Sequence, residues 1–193
     1  TVAALGPIDA LVNGVGGNRK DATTSEELSF FDIPEEGIRK VFDANFMSAF
    51  FTSQVFARAM GARGEGNIIN ISSMGAFQPL PKVPGYSAGK AAISNFTAWL
   101  AVHMAKTYSP DIRVNALAPG FFLTNLNRYL LIEEKSGCLT ERGKAILAGT
   151  PAGRFGSPEE LIGALFWLIS DASKFVTGSV VIIDGGFNAY SGI

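Results

Sequence analysis

Cysteine and histidine are almost absent from this sequence. Among 193 residues, Cys138 and His103 are the sole examples of their types. A single cysteine excludes an internal disulfide and a cysteine-cluster metal site, and it suits a reducing compartment. A lone histidine in a helical run is more often packed or solvated than catalytic. We therefore expect no metal, and chemistry that depends on other side chains.

Long apolar runs and an excess of one charge are also missing. No stretch of roughly 18 or more apolar residues occurs, which argues against a membrane span. The 16 basic and 17 acidic residues give a formal net charge of -1 and are not segregated into blocks, so nothing favours nucleic acid or anionic membrane as a partner. No signal-peptide pattern is present. These absences predict a cytoplasmic protein that acts on a small molecule.

The apolar residues are arranged as a regular alternation of elements. Hydrophobic residues make up 47% of the chain, which is ample for one domain with a sizeable core. Short apolar runs alternate with longer segments of helical period, and such long crossovers are typical of parallel sheets. The sequence predicts an α/β fold, a doubly wound, Rossmann-like parallel sheet, with strands at 10–12, 68–71, 112–117 and 180–183 and helices at 34–63, 84–106 and from 157 onwards.

Tyr86 and Lys90 form a candidate proton-transfer pair. If the run after Pro84 is helical, residues four apart share one face of the helix. A nearby ammonium favours the phenolate, so we expect Lys90 to lower the pKa of Tyr86 from its usual value of about 10. Ser73 precedes Tyr86 by thirteen residues, directly after a predicted strand. Its hydroxyl could hold a carbonyl or alcohol oxygen against the phenol.

This spacing of Ser73, Tyr86 and Lys90 resembles the short-chain dehydrogenase/reductase family. The resemblance implies that Ser73 binds the substrate oxygen, that Tyr86 donates or accepts its proton, and that Lys90 tunes Tyr86 and binds the nicotinamide ribose. Asn45, in Phe-Asp-Ala-Asn, matches the family asparagine that carries a proton-relay water. The implied reaction is hydride transfer between a nicotinamide and a secondary alcohol or ketone.

Two further segments match the parts of this family that contact the coenzyme. Residues 9–16 resemble the family pattern Asp-x-Leu-Val-Asn-Asn-Ala-Gly, which implies that Asn13 braces the sheet and that Gly14 and Gly16 lie beside the coenzyme. They do not form a dinucleotide fingerprint, because Arg19 occupies its last glycine position and no helical period follows. After the third strand, the resemblance assigns coenzyme contacts to Pro119, Gly120, Phe122 and Thr124. It also implies that Asn13, Tyr86 and Lys90 bind coenzyme.

The resemblance covers the whole chain but only roughly the last three quarters of a usual family member. We therefore expect the first strand, its Gly-rich turn and the residue that separates NAD from NADP to lie upstream of Thr1. The coenzyme is then NAD or NADP with no readable preference, and the polypeptide 1–193 is expected to be inactive alone. The long polar segment within 121–149 is typical of a substrate lid.

Amide and cationic side chains around these motifs indicate a polyhydroxylated, anionic substrate. The sequence is similar to family members described as D-mannonate oxidoreductases, which implies D-mannonate and D-fructuronate as the redox pair. Arg19, Lys82 and Asn127 belong to the same polar set. The residues predicted to contact substrate are Asn18, Lys20, Met74, Gln78, Asn125 and Arg128.

Two alternative functions and one assembly prediction remain open. A 3-oxoacyl carrier-protein reductase would share the four catalytic positions, but it would need an apolar slot and a basic docking patch. A non-catalytic interaction module usually loses one of the four positions, and here all four are filled. The helices at 34–63 and 84–106 carry more aromatic and aliphatic residues than one sheet-facing stripe needs, which predicts a homodimer or homotetramer.

Overall fold

A computed structural model describes residues 6–125 and 127–192 of the chain. In these ranges four strands form one parallel sheet in the order β1-β2-β3-β4. Asn13 lies opposite Asn70, Ile71 opposite Leu117, and Pro119 opposite Ile183. The predicted α/β fold is confirmed, with the strands at Ala10–Asn13 (β1), Gly66–Ile71 (β2), Ile112–Pro119 (β3) and Val180–Ile183 (β4).

The first long helix is interrupted. Helix α1 spans Glu35–Phe42 and α2 spans Ser48–Arg63, with a π-helical segment, Asp43–Met47, between them. The prediction of one continuous helix over 34–63 is therefore wrong in its middle. Such segments insert one extra residue into a helix and are frequent at functional sites. Gly64, at a φ of 83°, ends α2.

The second long helix, α3, spans Pro84–Thr107. Proline suits its first turn because the missing N–H would have no partner there. Two short helices follow β3, namely α4 at Arg128–Leu131 and α5 at Glu141–Ala148. The helix predicted from residue 157 begins as a 3₁₀ turn at Pro158–Leu161 and continues as α6 at Ile162–Ile169.

Both faces of the sheet are covered by helices. Because strand side chains alternate, Ile68 and Ile69 of β2 point to opposite faces, and each is fully buried in a separate apolar cluster. The cluster around Ile68 packs against α2 and α3, whereas that around Ile69 packs against α6. Within the described residues, no helix is long and apolar enough to cross a membrane.

Candidate active site

Ser73, Tyr86 and Lys90 meet where β2 ends and α3 begins. The Ser72 hydroxyl donates a hydrogen bond to the Lys90 carbonyl at 3.1 Å, which fixes the end of the strand against the helix. Ser73 is buried, and its Oγ accepts a hydrogen bond from the Gly75 N–H at 3.1 Å. The Lys90 ammonium lies 5.8 Å from the centroid of the Tyr86 ring. The structure thus brings together three of the four predicted catalytic residues.

Burial controls the pKa values of this pair. It raises the pKa of Tyr86 above its ordinary value, and the nearby Ser73 hydroxyl opposes the rise by stabilising the phenolate. Burial also lowers the pKa of Lys90 to about 8. The Lys90 Nζ donates a hydrogen bond to the Ile71 carbonyl at 2.8 Å. The pKa of Tyr86 is therefore not lowered overall, contrary to prediction, because desolvation outweighs the influences that favour the phenolate.

Asn45, the fourth predicted residue, holds the loop after β1. It lies in the π-helical segment and is 1% exposed. Its Nδ2 donates to the Gly17 carbonyl at 2.6 Å and to the Val41 carbonyl at 2.7 Å, and its Oδ1 accepts from the Gly17 N–H at 3.1 Å. This reciprocal pair of bonds fixes Gly17 against the π-helical segment.

The closeness of these groups explains the glycine at position 16. A Cβ at Gly16 would lie 2.6 Å from the Asn45 Oδ1 and 3.0 Å from the Lys90 Nζ. A side chain there would displace both. In contrast, a Cβ at Gly17 would meet nothing within 4 Å.

Asn13 braces the end of β1 through its side chain, as predicted. Its Nδ2 donates to the Asn70 Oδ1 at 2.8 Å and to the Ser53 Oγ at 2.9 Å, and its Oδ1 accepts from the Thr52 hydroxyl at 2.7 Å. Asn70 in turn donates to the Thr97 Oγ1 at 2.9 Å. Buried amides demand such partners, so this network ties two strands to both long helices.

A narrow groove of about 230 Å³ runs past the Lys90 ammonium. Six of the residues predicted to contact coenzyme line it, Tyr86 among them, whereas Phe122 and Thr124 line the larger cavity described below and Asn13 supports the groove from the sheet. At Gly120 a Cβ would lie 2.5 Å from that of Asp184, so the close passage of the backbone requires glycine. The groove is lined by Gly14, Gly16, Gly17, Ile71, Ser72, Ser73, Tyr86, Lys90, Pro119 and Gly120.

A larger cavity of about 1040 Å³ adjoins the groove. Asn18, Lys20 and Met74 line it, as predicted for substrate contacts, and so do Arg19 and Asn127. The other three residues predicted to contact substrate, Gln78, Asn125 and Arg128, are not among the described residues that line the cavity. Gln78 instead donates to the Asn188 carbonyl at 3.3 Å, and Asn125 and Arg128 are exposed outside the lining.

Several cavity residues were missed by the sequence analysis. Thr23, Tyr129 and Arg142 line the cavity from loops and short helices whose side chains follow no helical or strand period. The segment 121–149, predicted as a lid, contributes residues of α4 and α5 to the lining of the cavity. Thr140 caps α5 by accepting a hydrogen bond from the Gly143 N–H at 3.0 Å and donates one to the Leu130 carbonyl at 2.8 Å.

Known proteins with similar sequences and similar folds are oxidoreductases. A family model described as enoyl-(acyl carrier protein) reductase matches residues 1–188. The uncharacterized oxidoreductase UxuB of Bacillus subtilis (strain 168) is 51% identical over 198 residues, which cover 98% of this chain and 70% of the relative. A 2-dehydro-3-deoxy-D-gluconate 5-dehydrogenase of Dickeya dadantii (strain 3937) is 40% identical, over 97% of this chain and 68% of the relative.

A solved structure is similar over the full length of this chain. It belongs to a Haemophilus influenza protein described as a candidate D-mannonate oxidoreductase, with bound NAD. The TM-score is 0.90 at 48% identity, covering 100% of this chain and 71% of the other. The residues described above therefore sit in a framework shared with nicotinamide-binding and sugar-acid proteins.

Proposed function

The chain belongs to the short-chain dehydrogenase/reductase family, and on this premise we propose that it interconverts a hydroxyl and a ketone on an open-chain sugar acid. It is an NAD(P)-dependent oxidoreductase of CH–OH groups. D-mannonate is the first substrate to test, because the similar solved structure is described as a candidate D-mannonate oxidoreductase. D-fructuronate is the corresponding ketone that the family resemblance implies.

One observation carries the proposal: Ser73 and Tyr86 line both the groove and the cavity. The two hydroxyl groups that could bind and protonate a reacting oxygen therefore lie where the groove meets the cavity. A coenzyme in the groove and a substrate in the cavity would meet at these two side chains. A cavity of about 1040 Å³ also lies at the upper end of the size usual for small-molecule sites.

The groove residues fit a nicotinamide coenzyme. Glycines at positions 14, 16 and 120 all line the groove and leave its backbone open to close approach. Lys90 has three N–H donors, of which one is bonded to the Ile71 carbonyl. The other two could hold ribose hydroxyls. Phe122 and Thr124 would contact the nicotinamide end from the adjoining cavity.

In the oxidation direction, a bound nicotinamide supplies the hydride acceptor. Ser73 would donate a hydrogen bond to the substrate oxygen and hold it beside Tyr86. The Tyr86 phenolate would take the hydroxyl proton, and in reduction the phenol would return it. Lys90 would stabilise the phenolate through its charge, and Asn45 keeps the loop at Gly16 in place. The relay water implied for Asn45 by the family resemblance remains a prediction.

The polar side chains of the cavity support a sugar acid, although the lining also includes apolar residues such as Met74, Leu80 and Phe121. Asn18, Thr23 and Asn127 offer hydroxyl and amide groups to a polyol, and Lys20 and Arg142 offer positive charge. An acyl-carrier substrate, the alternative, would favour a long apolar slot. Assays of the native protein with D-mannonate and with a 3-hydroxyacyl thioester, each with NAD and NADP, separate the two. Turnover of the thioester alone would overturn the proposal.

We also propose that the chain assembles through α2 and α3. Both helices expose apolar side chains away from the sheet: Phe51 is 53% exposed, Val55 66%, Trp99 54% and Val102 64%. Contiguous exposed apolar surface of this kind usually marks an interface. A homodimer or homotetramer would cover it.

A further inference from the structure

We infer that Arg142 is the residue that binds the carboxylate of the substrate and so makes the enzyme selective for acids over neutral polyols. The inference rests on the proposed sugar-acid oxidoreductase function and deepens it. Arg142 is the second residue of α5, and its side chain lines the cavity that contains Ser73 and Tyr86.

The sheet topology places Arg142 and Lys20 on opposite sides of the reacting groups. The carboxyl ends of parallel strands meet at one edge of a sheet. Ser73 follows β2, which lies between β1 and β3. Lys20 follows β1 on one side, and Arg142 follows β3 on the other. The cavity therefore has two walls that could receive an anionic end of the substrate.

The charges on these walls differ. On the wall that follows β1, Arg19 is paired with Asp21 at 2.8 Å and Glu27 also lines the cavity, so acidic groups offset Lys20. On the wall that follows β3, Arg142 is the one charged residue among the described lining residues. A carboxylate is attracted more strongly to the second wall, because no acid there competes for the cation.

The guanidinium of Arg142 is also available for binding. Within residues 6–125 and 127–192 it forms no ion pair. Its neighbour Glu141 is already paired with Lys144 at 2.7 Å. A guanidinium presents two parallel N–H groups that match the two oxygens of a carboxylate, which a lysine cannot do.

The start of α5 is held in place by close packing. Gly143 is buried, and a Cβ there would lie 2.4 Å from the Leu131 carbonyl oxygen at the end of α4. The Thr140 N–H also donates to that oxygen at 3.0 Å. Because these contacts fix the backbone on either side of position 142, they direct Arg142 toward the cavity beside Tyr129 and Leu130.

The test compares Arg142→Gln with Lys135→Gln in the native enzyme. Lys135 lies in the same segment after β3, is exposed outside the cavity lining and forms no ion pair within the described residues. Its change therefore removes the same charge without freeing an acid beside Arg142. For Arg142→Gln we expect the KM and the calorimetric Kd for D-mannonate to rise roughly tenfold or more, the scale of a lost charge-assisted bond. The kinetics of the neutral polyol D-mannitol should change little, and Arg142→Lys should recover part of the loss. Lys135→Gln should leave both substrates unaffected.

The outcomes separate this inference from the proposed function. If Arg142→Gln binds D-mannonate as tightly as the native enzyme, or if Lys20→Gln costs more than Arg142→Gln, the inference is wrong while the reaction stands. If the native enzyme binds and oxidises no sugar acid but turns over another alcohol, the proposed substrate class is wrong and the inference falls with it. An equal loss of D-mannitol turnover in Arg142→Gln would also overturn the carboxylate role.

Discussion

The Lys90 ammonium donates a hydrogen bond to the carbonyl oxygen of Ile71, the last residue of β2, at 2.8 Å. This bond ties a buried cation to the end of the central strand. The same ammonium is 5.8 Å from the Tyr86 ring centroid. The sheet therefore fixes the position of Lys90. Its effect on the phenol depends on the fraction of Lys90 that remains protonated, because burial lowers its pKa.

In the full-length protein, Tyr86→Phe should abolish most activity without unfolding the chain. The change removes one hydroxyl from a half-buried ring whose packing remains. Losing a general acid/base usually costs about a hundredfold or more in turnover. Steady-state assays with D-mannonate, together with a thermal melt, measure the two effects. A near-native kcat would remove Tyr86 from the mechanism.

Lys90→Met should change the pH dependence of stability in the coenzyme-free protein. Burial lowers the pKa of Lys90 from 10.5 to about 8. Between these pH values the lysine keeps its proton in the unfolded chain but has lost it in the folded protein. The free energy of unfolding of the native protein, compared with that of Lys90→Met, therefore rises with pH. The full shift corresponds to on the order of 3 kcal/mol.

Urea unfolding of the native protein and of Lys90→Met from about pH 7 to about pH 9.5 measures this difference, because the tyrosines that begin to titrate in this range are common to both proteins. A difference in the free energy of unfolding that stays constant across this range would show that the pKa of Lys90 is not lowered. Activity of Lys90→Met should be low throughout, because the cation that supports the phenolate is gone.

Gly16→Ala should damage the site far more than Gly17→Ala. A Cβ at position 16 would lie 2.6 Å from the Asn45 Oδ1, whereas one at position 17 meets nothing within 4 Å. We expect Gly16→Ala to weaken coenzyme binding at least roughly tenfold, with Tm reduced modestly because the position is exposed. Titration of NADH or NADPH fluorescence measures the affinity. Equal effects of the two alanines would contradict the steric argument.

Trp99→Glu should disrupt assembly. Trp99 is 54% exposed on α3, and a carboxylate buried in an apolar interface would be strongly unfavourable. Sedimentation should show a smaller species for Trp99→Glu than for the native protein. Phe31→Glu is the control, because Phe31 is 91% exposed but lies outside both helices. A native protein that sediments as a monomer at micromolar concentration would refute the interface.

The sequence was sufficient to predict the framework of the site. Strands were readable as short runs such as Ile68 to Ile71 bounded by turn residues, and Val180–Ile183 has the predicted bounds. Tyr86 and Lys90 were readable because a helix brings residues four apart together. The positions of the strands and of this helical pair can be predicted because they depend on the local spacing of residues along the chain.

What the sequence did not predict depends on contacts between distant segments. The pKa of Tyr86 depends on how deeply the fold buries the phenol, which no spacing reports. Arg142 enters the cavity because α5 docks on α4, and Gln78 leaves it because its amide bonds to the Asn188 carbonyl. The π-helical segment could not be recognised from the spacing of apolar residues, because buried positions continue at a helix-like spacing through Asn45.

That segment also controls the rotational phase of everything after it. Every fourth residue from Gly37 to Ala57 is buried, although a regular α-helix turns such positions about 40° further round at each step. The extra residue at Asp43–Met47 takes up this drift. If the same residues formed an unbroken α-helix instead, the circular dichroism spectrum would barely change, yet Ala49, Ser53 and Ala57 would turn by about 100° away from the sheet. A shift that leaves the helix content unaltered would therefore misdirect a whole helix.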